Sequence, residues 1–161
     1  MKLPYAEPLT PIAPSIPVIP EPRRRGEPGG DPCGLCHQDE GIWSDEHWVL
    51  HIAGSSIPGT AWLASREHVD SFADLPERLA ADFGRIVGRI EKAILAAGDF
   101  GRVHLYRWGD GGAHFHVWFY PRPVGMMDAV KFALPVWEDV MEPAPQPAID
   151  DIAKKIAQAL G

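Results

Sequence analysis

The chain has 161 residues, 45% apolar and 23% charged, which suits one domain with a full hydrophobic core. Its 15 Lys and Arg against 22 Asp and Glu leave a formal charge of −7, which argues against nucleic-acid binding, because neutralising phosphates needs clustered cations. No apolar run approaches the roughly 18 residues that cross a bilayer, and prolines break up the residues after Met1-Lys2 before a secretory h-region can form, so a cytoplasmic protein with reduced cysteines is expected.

Residues 1–32 carry nine of the 17 prolines. That density forbids helix and sheet ladders and favours an extended, polyproline-like tail. Leu3, Tyr5, Leu9, Ile12, Ile16, Val18 and Ile19 make the tail apolar for a linker. This suits a segment lying along its own domain or a partner subunit; a flexible arm ending in Arg23-Arg24-Arg25 is the alternative.

The domain proper is expected over 33–161. Trp48–Ile52 and Thr60–Ser65 are β-branched or aromatic runs separated by Gly54, Pro58 and Gly59, and read as two strands joined by a loop. Pro76 opens a helical pattern with Leu79, Phe83, Ile86, Ile90 and Ile94 on one stripe and Gly98 as its stop. Arg102–Trp108 and Ala113–Tyr120 then read as strands around the hairpin signal Gly109-Asp110-Gly111-Gly112. Met126–Met141 reads as a helix kinked at Pro135, and Ile149–Leu160 as a short amphipathic helix with Ile152 and Ile156 on its apolar side. Hairpin strands with segregated helices predict an α+β domain: an antiparallel sheet of about five strands, one long helix and C-terminal helices.

His114-Phe115-His116-Val117-Trp118-Phe119-Tyr120-Pro121-Arg122 is the segment richest in chemistry. Strand alternation turns His114, His116 and Trp118 to one face and Phe115, Val117 and Phe119 into the core. Two imidazoles sharing an exposed face beside a glycine-rich turn form a site that packing alone does not require. Gly109, Gly111 and Gly112 either let backbone N–H groups approach phosphate oxygens or simply turn the hairpin. His47, His51 and His104 read as surface or satisfied strand histidines. Trp43, Trp48, Trp62, Trp108 and Trp137 read as core or dimer contacts, with Trp108 and Trp118 an alternative aromatic wall beside the turn.

Cys33-Gly34-Leu35-Cys36-His37 has metal-ligand spacing, yet two ligands do not make a site. The same five residues spell a c-type haem attachment motif, which would need export. A thioredoxin-like redox pair lacks its βαβ context, and two unrelated buried thiols are the plain alternative.

The strand His-x-His-x-Trp-x-x-Pro-Arg resembles the His-x-His-x-His-x-x-Pro-Arg motif of the HIT (histidine triad) superfamily, with Trp118 in the place of the third His. Cys33-x-x-Cys36 resembles the start of bacterial members, and Pro58-Gly59-Thr60 through Arg66-Glu67-His68 their Pro-Gly-His, strand and Pro-Lys-x-His segment. The resemblance covers about residues 33–123. It implies a nucleotidyl hydrolase or transferase in which His116 attacks phosphorus and carries a covalent nucleotidyl intermediate, with Gly111, Gly112 and Trp118 at the substrate. It also implies one structural zinc ion per chain, held by Cys33, Cys36, His68 and His114 as in the galactose-1-phosphate uridylyltransferases, and a homodimer acting on a small phosphorylated or nucleotide substrate. Imidazole suits the nucleophile because it is largely neutral at pH 7.

The chain departs from the family in three places. An indole at Trp118 donates one hydrogen bond but cannot shuttle a proton. Thr60 stands where many members have a His that supports the nucleophile, and Ile52 where an Asp usually holds the ribose hydroxyls. These departures favour the rival reading, a non-catalytic, zinc-stabilised ligand-binding or scaffold protein.

Overall fold

A computed structural model describes residues 2–5 and 18–161. Leu9, Ile12 and Ile16 of the tail, and the prolines among them, lie outside the described residues. The elements in chain order are β1 (Trp43–Ser44), β2 (Trp48–Ile52), β3 (Ala61–Ser65), α1 (Glu77–Ala97), β4 (Phe100–Tyr106), β5 (His116–Pro123), α2 (Ala133–Val140) and α3 (Gln146–Leu160), with single 3₁₀ turns at Gly34–His37 and Phe72–Asp74. The strands form one antiparallel sheet in the order β1-β2-β3-β5-β4, which is the α+β architecture expected.

One face of the sheet carries the main core. Trp48, Leu50, Leu63, Phe115, Val117 and Phe119 pack there against Leu79, Ile86, Ile90 and Ile94 of α1, with Ile156 and Leu160 of α3 closing the layer. Trp48 is fully buried. Its indole Nε1 donates to Asp82 Oδ2 on α1 at 2.8 Å, so its one polar atom is satisfied across the sheet–helix interface. Ile52 packs against this core too. The opposite face holds a smaller cluster of Ile57, Tyr120, Ala129 and Leu134, with Trp118, Tyr106, Met126 and Trp137 partly buried against it.

Three expectations are corrected. The Met126–Met141 helix begins only at Ala133, because Lys131 takes the left-handed conformation (φ 57°) and breaks any helix before it. Pro135 thus falls in the first turn of α2, where its missing N–H has no helical acceptor to lose, and it produces no kink. The expected tight hairpin is instead a loop, and β5 begins at His116 rather than Ala113. Two amides that a hairpin ladder would use are committed elsewhere: Ala113 N–H donates to the carbonyl of Arg25 (2.8 Å) and Phe115 N–H to that of Val69 (2.6 Å). β1, only two residues long, carries no signal in the sequence.

The described parts of the N-terminal segment lie on the domain. Lys2 pairs with Asp128 through its backbone N–H at 3.0 Å, and its carbonyl accepts from Trp137 Nε1 at 2.8 Å. Val18 and Ile19 are exposed. Farther on, Arg25 bridges Gly112 in parallel orientation.

Candidate active site and metal centre

Three segments far apart in sequence meet at the start of β5. Cys33 precedes a 3₁₀ turn and Cys36 lies within it, His68 lies between β3 and α1, and His114 sits two residues ahead of β5. Cys33 Sγ lies 3.2 Å from His114 Nδ1, Cys36 Sγ 3.2 Å from His68 Nδ1 and 3.8 Å from His114 Nδ1. The four donor atoms all lie within 4.8 Å of one another. A tetrahedral zinc ion with Zn–S of about 2.3 Å and Zn–N of about 2.0–2.1 Å sets its ligand atoms roughly 3.3–3.8 Å apart, so the donor set and its spacing fit such an ion. The His114 ring is oriented as a ligand. Its Nε2–H donates to the Ser65 carbonyl at 2.8 Å, which leaves the Nδ1 lone pair facing the sulfurs.

Burial pushes the His114 imidazole below its ordinary pKa, with His68 and His116 adding to the shift and the Ser65 carbonyl opposing it. Burial, and the neighbouring Cys33, push the Cys36 thiol up. A metal ion would meet a neutral histidine but would have to displace the thiol proton.

Strand alternation puts His114 on an exposed face with His116; it is instead only 2% exposed. It precedes the regular strand, and the link to Ser65 draws its ring inward. His116 alone keeps a half-buried position on β5, opposite Ala64 of β3. Its Nδ1–H donates to the His114 carbonyl at 2.8 Å. In the neutral ring that bond fixes the tautomer and leaves the lone pair on Nε2.

His116 lines a cleft of about 170 Å³ together with His114, Gly111, Gly112, Arg25 and the turn at residues 33–35. Gly111 and Gly112 therefore stand beside His116, as expected, but their backbone role differs. Neither they nor Gly109 has a positive φ, and a Cβ on Gly111 would meet nothing within 4 Å. Turn geometry does not require glycine here. What glycine leaves is open backbone.

Trp118 does not line this cleft. It pairs with Trp62 across β3–β5 and stands in an aromatic row on the sheet, 6.3 Å from Trp62 and 6.0 Å from Tyr120. Trp108, 42% exposed, stacks on Tyr106 at 5.1 Å in the same row. Thr60 is buried, and its hydroxyl donates to the Ile57 carbonyl at 2.9 Å. His51 stacks on Trp62 at 3.9 Å and bonds Gln38, a satisfied strand histidine as expected.

Arg25 is a site residue that sequence reasoning missed. The only signal was the basic run, and nothing local says where it docks. The docking is specific: Gly26 has φ +91°, and a Cβ there would stand 3.1 Å from the His68 ring, 3.2 Å from Cys33 Cβ and 3.3 Å from the Ala113 carbonyl. Gly26→Ala is expected to cost about 1–2 kcal/mol from left-handed strain, and more from the contacts. A urea midpoint equal to wild type would show that the 23–31 turn does not hold the position described.

No protein-family model matches the sequence, and no curated protein matches it. Solved structures do. The chain is similar to a histidine triad protein from Bradyrhizobium japonicum, with a TM-score of 0.63 at 16% identity over 77% of this chain and 90% of that one. It is also similar to a hypothetical histidine triad nucleotide-binding protein from Sulfolobus tokodaii, with a TM-score of 0.60 at 16% identity over 80% and 91% of the two chains. A Zn-bound histidine triad family protein from Mycobacterium smegmatis matches with a TM-score of 0.55 at 19% identity over 81% and 88%. The chain therefore has the histidine triad fold.

Proposed function

We propose that this histidine triad fold carries a nucleotidyl hydrolase or transferase that works at phosphorus through His116. The observation that carries the reading is the His116 Nδ1–H bond to the His114 carbonyl, with the ring lining a cleft beside Gly111 and Gly112. In the proposed first step Nε2 attacks the phosphorus, an N–P bond forms, and the P–O or P–N bond to the leaving group breaks with its electron pair. In the second, water or another acceptor attacks the same phosphorus and the N–P bond breaks, restoring His116. The N–H groups of Gly111 and Gly112 would face the charge that develops on the phosphate oxygens.

Cys33, Cys36, His68 and His114 would hold one structural zinc ion per chain, closed to water, and so keep the His114 carbonyl in place under His116. The reading includes a homodimer in the cytoplasm; among the described residues no helix is long and apolar enough to cross a membrane.

A specific observation favours the rival, non-catalytic ligand-binding reading. Trp118 lies among aromatics and does not line the cleft, and the cleft's other imidazole, His114, is committed to the Ser65 carbonyl and the sulfurs, so no free imidazole stands there to protonate a leaving group. Product release from dinucleoside polyphosphates, nucleotide sugars and a nucleoside phosphoramidate, at matched metal content, separates the two. Turnover together with a nucleotidyl adduct located on His116 by mass spectrometry is the expected result. Nucleotide binding without turnover or adduct would establish the ligand-binding reading instead.

A further inference from the structure

We propose that Arg25, delivered by the N-terminal segment, is the phosphate-binding residue of the His116 cleft. The inference deepens the reading above, and rests on it for the reaction but not for the anion site.

Alternation separates two neighbouring arginines. Arg24 and Arg25 lie in a stretch extended enough to bridge Gly112, so their side chains leave the backbone in opposite directions. Arg24 is wholly engaged. It grips Asp70 through both guanidinium NH groups at 3.1 and 2.5 Å, bonds Glu27 through Nε at 2.8 Å and donates to the Gly109 carbonyl at 2.8 Å. The Asp70 carboxyl is held below its ordinary pKa, first by that bond. Arg24 is thus an anchor. Its partners hold the segment to the glycine loop, and Arg25, one residue on, lines the cleft with His116, Gly111 and Gly112 and shares the adjoining depression with Arg23 and Arg24.

Arg25 has neither an ion pair nor a side-chain hydrogen bond among the described residues. Asp31 and Asp110 line the adjoining depression with it, and neither pairs with it. The N–H groups of Gly111 and Gly112 likewise meet no acceptor among the described residues. Three residues with unpaired donors thus line the cleft of His116, in a protein whose formal charge is −7. Their shared complement is a phosphate group, which takes guanidinium and backbone N–H donors together. A fixed cation also compensates in part for the missing third imidazole: it cannot give up a proton, but it stabilises charge on the phosphate oxygens.

Equilibrium binding tests this with three probes: adenosine 5′-monophosphate, inorganic pyrophosphate and adenosine. Arg25→Ala and Arg25→Gln are expected to weaken both phosphate-bearing probes about 10- to 100-fold, while leaving any adenosine binding unchanged. Arg25→Lys should restore part of the affinity, and Arg23→Ala, which changes a charge outside the cleft, should stay within about twofold of wild type. The strap docks through the Arg25 carbonyl and Arg24, so none of these variants removes its anchors. Phosphate-probe affinities equal to wild type in both Arg25→Ala and Arg25→Gln would overturn the proposal. Arg25-dependent pyrophosphate binding, with no added affinity for the nucleotide, would uphold the anion site and overturn the nucleotide reading. Wild-type protein that binds neither phosphate probe overturns both.

Discussion

Withdrawing an ion held by Cys33, Cys36, His68 and His114, as proposed, is expected to lower the thermal midpoint by about 8–16 °C. An ion present at a thousand times its dissociation constant adds about 4.1 kcal/mol to the native state. For a domain of this size each kcal/mol shifts the midpoint by roughly 2–4 °C. The four donors join the N-terminal turn, the β3–α1 connection and the approach to β5, and without the ion the two cysteines keep only weak sulfur–imidazole contacts to the two histidines. Chelation should therefore loosen the turn at Gly34–His37 and the seat of His114 while leaving the α1-packed core in place. Cys36→Ser should reproduce the loss and abolish any further response to chelator. Protein purified without metal, whose midpoint ignores both chelator and added zinc, would show that the quartet holds no ion.

Acid acts in the same direction. Burial holds His51 and His104 below the ordinary imidazole pKa, with Asp39 opposing the shift at His51 and Arg122 reinforcing it at His104. The unfolded chain then takes up protons that the native state refuses. The stability these groups contribute is present above about pH 6.5 and is lost as the pH falls through it toward their folded-state values. Protonation of the metal ligands sharpens the same decline.

His116→Ala is expected to reduce turnover on the order of 10⁴-fold or more, since removing a covalent nucleophile abolishes the pathway rather than slowing one step of it. The variant should fold normally. His116 is half-buried, and among the described residues its side chain's one hydrogen bond is to a backbone carbonyl. Leaving-group dependence carries the finer test. With no proton donor at Trp118, substrates that release a good anion such as pyrophosphate should outpace an amine-releasing phosphoramidate by about 10²–10⁴-fold. Residual activity in His116→Ala comparable to wild type would remove the nucleophile from the reading.

How much of this was legible in the sequence follows from how local each determinant is. β2 and the stripe of α1 were readable because alternation and a 3.6-residue period act within a few residues. The metal quartet was legible only through family resemblance, since nothing local connects Cys33 to His114. What escaped was set by non-local partners. The start of β5 depends on amides taken by Arg25 and Val69. Trp118 alternates as expected, yet its surroundings come from Ile57, Leu134 and other residues remote in the chain. The shortened α2 turned on a single left-handed lysine, which no periodicity reveals.

The order of the donors along the chain bears on how the protein comes apart. His68 lies 32 residues beyond Cys36, and His114 lies 81 beyond Cys33. Of these four donors, a nascent or unfolded chain offers an ion only the two thiols at close spacing. The pairing of β3 with β5 is what brings the imidazoles to the thiols, so complete coordination is expected to be a late event. Interactions absent from the folding transition state act on the escape rate and leave the arrival rate nearly untouched. A loaded centre is therefore a brake on unfolding. It lengthens the lifetime of the native chain more than it hastens its formation, and that longevity ends when the ion leaves.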